Sequence, residues 1–213
     1  MSISQTPLLL TVLTLLYEAP MHPYQMQRLI RERGKDFVVN VKAGSIYHAV
    51  DRLVKGGLAE VVDTSREGKR PERTTYRITD KGTAACGDWV NAMVGQPKKE
   101  YPEFAAAIAA LPVLMPDGAR AALERRATAI ADEVTGYEEQ LSAMAAYLPR
   151  VVLLEEEYIL AVRRAELDWI RSVVADLQAG SLTWDFEEMR KLIDNPPPEI
   201  AAALPSREAD ESS

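Results

Sequence analysis

Polar side chains between residues 45 and 55 repeat with the spacing of one face of a helix. They lie three or four positions apart, at Ser45, His48, Arg52 and Lys55. Apolar residues fall on the opposite face, so the stretch predicts a helix about three turns long. Hydroxyl, imidazole and cationic groups held in such a row are suited to contact base edges and phosphates.

The elements around this helix indicate how it is held. Gly56-Gly57 ends it, and two short strands are predicted over residues 58–64 and 73–79, separated by a polar turn. Upstream, Thr6-Pro7 and Pro23 each begin a helix. The resulting order α-α-α-β-β is that of a winged helix-turn-helix. An ordinary helix and hairpin with a solvated charged loop is the plainer interpretation of the same residues, and the two upstream helices count against it.

Motifs in this region resemble the PadR family of bacterial transcriptional regulators. The matching residues are Gly44-x-Ile46-Tyr47-x-x-Val50-x-Arg52-Leu53-x-x-x-Gly57-Leu58, then Gly68-Lys69-Arg70-Pro71-Glu72-Arg73-x-x-Tyr76-x-Ile78-Thr79-x-x-Gly82. Met21-His22-Pro23-Tyr24 is similar to a family motif in which glycine usually precedes the tyrosine. The length and helical character of the rest resemble the larger members, which have a long C-terminal helical domain. The resemblance implies a DNA-binding regulator that a small aromatic or drug-like effector can release from DNA.

Ten residues are the candidates for DNA contact. Base edges or adjacent phosphates are expected to meet Ser45, His48 and Arg52, while the other seven are expected to contact the backbone. Those seven are Tyr24, Gln25, Lys42, Tyr47, Lys69, Arg70 and Arg73. Packing is the alternative role for Tyr24 and Tyr47.

Composition sets limits on the whole chain of 213 residues. Its 47% apolar and 27% charged residues are typical of a soluble globular protein. The net charge of −7 divides unevenly, because residues 1–99 carry +5 and residues 100–213 carry −12. A basic N-terminal module suits contact with phosphate at one end only. No run is long enough for a membrane span, and the single Cys86 fits a reducing cytoplasm.

Four segments are predicted along the chain. A winged helix-turn-helix domain occupies residues 1–95, and its last helix runs from Asp80, the N-cap, to Val94. Residues 96–116 form a linker with a short helix. Residues 117–195 form a helical dimerisation domain, and residues 196–213 are a mobile acidic tail. The fold class is therefore mainly α, with an antiparallel pair of long, coiled-coil-like helices at the C-terminal end.

The dimerisation domain is predicted from heptad spacing. One long helix carries a seam that ends before Pro149, and a second, 151–179, carries a broader apolar band from Leu154 to Leu177. The hairpin could be complete alone or pack on a second copy, and the homodimer is preferred. Its expected interface residues are Leu123, Ile130, Val134, Tyr137, Leu141, Met144, Leu148 and Trp169.

Residues that could do covalent or metal chemistry are scarce. The histidines, His22 and His48, show no metal-ligand spacing, Cys86 has no neighbouring histidine, and no phosphate-binding glycine motif is present. We therefore expect no enzyme, no metal and no cofactor. Trp89 and Tyr158 are candidates for effector contact, with core packing as the alternative.

The predicted partners are double-stranded DNA with an inverted-repeat operator, a second copy of the chain and a small effector. Two other classes remain open. The winged helix could be a protein-protein interaction module, or the C-terminal half could bind a small molecule as a sensor without specific DNA binding.

Overall fold

The structure is a computed structural model, and it describes residues 3–35, 39, 44–65 and 73–198, with backbone alone for 64, 65, 73 and 193. The chain falls into two compact units that divide between Glu100 and Tyr101. The first contains α1 (Pro7–Glu18), α2 (Pro23–Glu32), α3 (Ser45–Lys55), β1 (Ala59–Ser65), β2 (Arg73–Ile78) and α4 (Asp80–Gly95). The second contains α5 (Glu103–Ala109), a short 3-10 turn (Leu111–Val113), α6 (Pro116–Ala145), α7 (Arg150–Ala179) and α8 (Phe186–Asp194).

The first helix forms the centre of the N-terminal core. Thr6 caps it by accepting a hydrogen bond from the backbone N–H of Leu9, and Pro7 occupies the first helical position, where no donor is needed. Its inward side chains are fully buried together with those of α2 and α3. They are Leu9, Val12, Leu13, Leu15 and Leu16. Burial of this face fixes α1 as the support on which the other helices pack.

The third helix begins and ends at the predicted residues. At its C-terminal end the backbone N–H of Leu58 bonds the carbonyl of Leu53 at 2.9 Å, and that of Gly57 bonds the carbonyl of Val54 at 2.9 Å. This double closure requires a left-handed residue, and Gly57 supplies it at φ +70°. The chain therefore turns from α3 directly into the β-ribbon.

The two strands pair antiparallel, with Ala59 opposite Ile78 and Ser65 opposite Arg73. The register shifts between Val61 and Asp63. Met21, just before α2, bridges to Tyr76 through both backbone groups at 2.9 and 3.1 Å, which ties the start of α2 to the ribbon. The order α-α-α-β-β is confirmed, and β1 begins one residue later than predicted, at Ala59.

The start of α4 corrects one prediction. Thr79, not Asp80, is the N-cap, because its hydroxyl accepts the backbone N–H of Gly82 at 3.0 Å while donating to the carbonyl of Gly57 at 2.8 Å. Thr79 follows β2 directly, so its two hydrogen bonds connect the end of β2 to the first turn of α4 and to the C-terminal end of α3. The inward face of α4 is formed by Gly82, Cys86 and Trp89.

The long helices of the C-terminal unit form an antiparallel hairpin. Three side-chain pairs join the two helices: Glu124 with Gln178, Arg126 with Glu166 and Glu138 with Arg164. The residue numbers fall along α7 as they rise along α6, as expected for an antiparallel pair. The core between them contains Leu123, Ile130, Val134, Leu160, Leu167 and Ile170. The mainly helical fold class, with a winged helix before a long-helix hairpin, is confirmed.

Two details of the hairpin differ from the predictions. The first long helix ends at Ala145, so Leu148 lies exposed in the connection instead of on the seam. The second packs on α6 through Leu160, Leu167 and Ile170, and Val173 and Leu177 of the predicted band pack against the same core. The other large apolar residues of that band, Leu154, Tyr158, Val162 and Trp169, are exposed. The acidic tail predicted to be mobile lies outside the described residues from 199 onwards.

Candidate nucleic-acid interface

The third helix presents a polar face because its apolar face is fully used in the core. Ile46, Ala49, Val50 and Leu53 are buried against α1 and α2. On the other side His48 and Arg52 are exposed, Tyr47 is 53% exposed and Ser45 is half-buried. The polar face of α3 is therefore exposed at the surface. A major groove, about 12 Å wide, could receive this helix, because an α-helix with its side chains is about 10–12 Å across.

The start of α2 adds a second exposed edge to this surface. Tyr24 is 66% exposed, and Gln25 beside it is exposed as well. His22 is the N-cap of α2: its Nδ1 atom accepts the backbone N–H of Tyr24 at 3.0 Å. The His22 ring also meets the ring of Tyr47 edge-on, with centroids 6.5 Å apart. One imidazole thus joins the first turns of α2 and α3.

The capping role of His22 does not follow from the motifs that indicate the fold. The residue stands immediately before Pro23, a proline at the first helical position, and that place in the chain is the signal for an N-cap. Histidine is an uncommon capping side chain, so the residue type gives little indication of this role.

The described charges near α3 are partly paired. Asp51, the only carboxylate of α3, accepts a hydrogen bond from Lys55 at 2.7 Å, and this ion pair offsets its negative charge. On the ribbon Arg77 bonds Glu60 at 2.6 Å, and Lys81 donates to the carbonyl of Gly56 at 2.9 Å. Lys42, Lys69 and Arg70 lie outside the described residues, and Arg73 begins β2 with only its backbone described.

The surroundings of two titratable groups in the N-terminal unit shift their pKa values. Burial raises the pKa of the Cys86 thiol, which keeps it in the protonated, weakly nucleophilic form. Two hydrogen bonds from Arg33 lower the pKa of Glu18.

Within the described part of the chain no group of His, Cys, Asp and Glu is arranged to hold a metal ion. None of the described helices is long and apolar enough to span a membrane.

The predicted dimerisation residues occupy two different environments. Leu123, Ile130 and Val134 are buried within their own chain, in the core between α6 and α7. Tyr137, Leu141 and Met144 are half-buried, whereas Leu148 and Trp169 are exposed. The buried part of the seam is therefore closed by α7 of the same chain, and Tyr137 and Leu141 pack against the same core.

The two predicted effector residues lie in different units. Trp89 packs in the core of the N-terminal unit, and Tyr158 is exposed on α7. Of the two, only Tyr158 is accessible from solvent.

The fold and the exposed face of α3 define a winged helix-turn-helix protein with a C-terminal helical hairpin. Residues 12–88 match the model of the transcriptional regulator PadR-like family. The winged-helix unit therefore matches a PadR-like transcriptional regulator domain. The family resemblance predicted from the motifs is confirmed, and because the family consists of regulators, so is the expectation that the chain is not an enzyme.

Solved structures share the fold over most of the chain. Bacillus subtilis PadR in complex with operator DNA has a TM-score of 0.64 and 18% identity, covering 80% of this chain and 98% of that one. The same protein with p-coumaric acid has a TM-score of 0.67 and 17% identity over 81% and 99%. The Vibrio cholerae virulence activator AphA has a TM-score of 0.61 and 24% identity over 81% and 98%. No curated protein matches the sequence significantly.

Proposed function

We propose that this chain is a homodimeric, sequence-specific DNA-binding repressor that a small aromatic or drug-like effector releases from its operator. The observation that carries the proposal is the division of α3 into a buried apolar face and an exposed polar one. In the proposed mechanism α3 enters the major groove, where Ser45, His48 and Arg52 meet base edges or adjacent phosphates.

Contacts to the DNA backbone are proposed to fix the register of that helix. Tyr24 and Gln25 lie exposed at the start of α2, the helix that crosses the backbone in a helix-turn-helix, and Tyr47 stands at the edge of α3. The remaining proposed phosphate contacts are Lys42, Lys69, Arg70 and Arg73. Together these residues supply affinity without sequence information.

The proposed domains follow the predicted segments. Residues 1–95 bind DNA and residues 117–195 form the dimer, with 96–116 between them. Support for the dimer comes from an apolar band that α7 leaves exposed, at Leu154, Tyr158, Val162 and Trp169. Apolar groups in such a row favour burial against another surface. A second copy would cover them and would present two α3 helices to an inverted repeat.

The direction of regulation and the effector rest on similarity. Bacillus subtilis PadR has been crystallised with operator DNA and with p-coumaric acid, and this chain shares that fold. An effector would act by binding more tightly to the form that does not bind DNA. AphA, which has a similar fold, is a virulence activator, so activation is the alternative direction of regulation. A reporter gene that is activated instead of repressed would contradict the repressor assignment.

A gel-shift assay with the upstream DNA of the chain's own gene tests the proposal. Specific retention that weakens as salt rises is expected, because phosphate contacts release counterions. Lys69→Ala combined with Arg70→Ala should abolish retention, while Arg171→Ala, a change of an exposed arginine on α7, should not. Absence of retention for every upstream fragment at low salt would instead favour an interaction module or a sensor.

A further inference from the structure

The C-terminal end of α3 is bound by side chains from the beginning of α4. The last carbonyl groups of a helix have no partner within it, and a lysine nearby can supply one. Here Nζ of Lys81 donates to the carbonyl of Gly56 at 2.9 Å, next to the bond from the Thr79 hydroxyl to the carbonyl of Gly57 at 2.8 Å. Two successive carbonyls at the end of α3 are therefore held by residues that follow β2.

The start of α4 gives the Lys81 side chain a fixed base. The backbone N–H of Thr79 bonds the carbonyl of Leu58 at 3.1 Å. A Cβ atom at Gly82 would stand 2.0 Å from the oxygen of the same carbonyl, so the two backbones meet without room for a side chain. Lys81 lies between Thr79 and Gly82 in the chain. Its backbone is therefore held against the residues that leave α3.

A chain of hydrogen bonds connects Lys81 to the turn of α3 that carries Arg52. The carbonyl of Gly56 accepts from Lys81, and the N–H of the same glycine donates to the carbonyl of Arg52 at 3.0 Å. The ammonium group also lies where the negative end of the helix dipole favours a cation. Because helix ends fray first, loss of the Lys81 bond would leave this last turn less restrained.

The DNA contact proposed for Arg52 depends on its position. A guanidinium that reads a base edge does so through two parallel hydrogen bonds, and this geometry tolerates little displacement. Contacts to phosphate carry no sequence information. A shift of the last turn of α3 would therefore reduce the discrimination between DNA sequences more than the affinity for DNA in general.

We propose that Lys81 is a positioning residue for sequence reading. It holds the last turn of α3 so that Arg52 reaches base edges, and it does not itself contact DNA. This role rests on the proposed function, because it concerns how α3 reads DNA. Lys81 is exposed, so the alternative role for its ammonium group is a direct phosphate contact. The two roles differ in their dependence on salt and on Arg52.

Fluorescence anisotropy of the full chain tests the role, with a duplex from its own upstream region and a shuffled duplex at several salt concentrations. Lys81→Met removes the ammonium group and keeps an unbranched side chain. It should reduce the preference for the upstream duplex about three- to tenfold, the usual range for one hydrogen bond, with the salt dependence unchanged. Lys81→Arg, which retains a cationic donor, should recover most of the preference.

Two comparisons separate positioning from an effect of charge. Lys191→Met removes an exposed lysine of the C-terminal unit and should leave the preference unchanged. In a chain that already carries Arg52→Ala, Lys81→Met should have little further effect on the preference, because both changes act through one contact. Loss of a phosphate contact would instead weaken both duplexes alike and lower the slope of log affinity against log salt by about one.

Three results would overturn the positioning role. They are an undiminished preference in Lys81→Met, an effect that adds fully to that of Arg52→Ala, and equal weakening of both duplexes with a smaller salt slope. A wild type that binds both duplexes equally contradicts the proposed function and the positioning role with it. A wild type that prefers the upstream duplex, together with an unaffected Lys81→Met, contradicts the positioning role alone.

Discussion

The imidazole of His22 lies edge-on to the ring of Tyr47, with 6.5 Å between their centroids. Since His22 also accepts the backbone N–H of Tyr24 through Nδ1, its ring proton must be on Nε2 in this arrangement. The residue therefore has two functions, capping α2 and supporting the side chain at the edge of α3. Both tyrosines are among the proposed DNA contacts.

Replacing His22 should separate capping from ring packing. His22→Ala removes the cap and should cost about 1 kcal/mol in the free energy of unfolding. His22→Asn retains a capping oxygen and should recover most of that loss, yet it still lacks the ring beside Tyr47. Urea denaturation measures the first effect and operator affinity the second. Equal stability of the alanine variant and the wild type would refute the capping role.

Two glycines of α4 provide a matched test of close packing. A Cβ atom at Gly82 would stand 2.0 Å from the carbonyl oxygen of Leu58, whereas one at Gly87 would meet nothing within 4 Å. Gly82→Ala should therefore lower the melting temperature strongly, because backbone must move. Gly87→Ala should raise stability by about 0.5–1 kcal/mol, since alanine favours the helix. Differential scanning calorimetry decides, and a harmless Gly82→Ala would contradict the described packing.

The ion pair between Glu18 and Arg33 should make stability depend on pH. Arg33 donates two hydrogen bonds, at 2.6 and 2.7 Å, and these lower the pKa of Glu18 in the folded state. A lowered folded pKa gives stability that is present above the unfolded pKa and is lost as pH falls through the folded one. Both side chains are nearly half exposed, so Glu18→Gln should cost less than about 1 kcal/mol at neutral pH.

Acid titration of the unfolding free energy checks that prediction. The difference between wild type and Glu18→Gln should vanish at acidic pH, where both side chains are neutral. Glu32→Gln, which alters the longer pair with Arg28 at 3.4 Å, should have a smaller effect throughout. A difference that persists unchanged into acid would show that the carboxylate charge of Glu18 is not the cause.

The exposed band of α7 should determine the oligomeric state. Leu154→Glu combined with Tyr158→Glu places charges on an exposed face and should give a species of 23.6 kDa in sedimentation, with helical circular dichroism unchanged. Leu160→Ala, inside the hairpin core, should instead cost about 2–5 kcal/mol of stability. A double variant that sediments like the wild type would remove α7 from the proposed interface.

Much of the winged helix could be predicted because proline, threonine and glycine mark its boundaries. Thr6-Pro7, Pro23 and Gly56-Gly57 have conformational preferences that act locally, so α1, α2 and α3 begin or end where those residues predict. The N-cap of α4 was harder, since Thr79 and Asp80 are both good caps. Thr79 prevails because it also reaches the carbonyl of Gly57, a tertiary contact.

The packing face of α7 could not be predicted from periodicity alone. The face that meets α6 is interrupted by Glu156 and Arg163, whereas the band that includes Tyr158 and Trp169 is more continuous. Arg163 is accommodated next to α6 because it pairs there with Glu133 as well as with Glu166. Such compensation depends on residues from a second helix, and a periodicity count along one helix does not include them.

Sequence-specific DNA binding by the exposed face of α3 is the central claim, and fluorescence anisotropy with Arg52→Ala tests it most directly. The wild type should bind a duplex from its own upstream region more tightly than a shuffled duplex of the same composition. Arg52→Ala should reduce that preference by about 1–3 kcal/mol, while Arg171→Ala should not change it. Equal affinity of the wild type for both duplexes, or an undiminished preference in Arg52→Ala, would contradict the account.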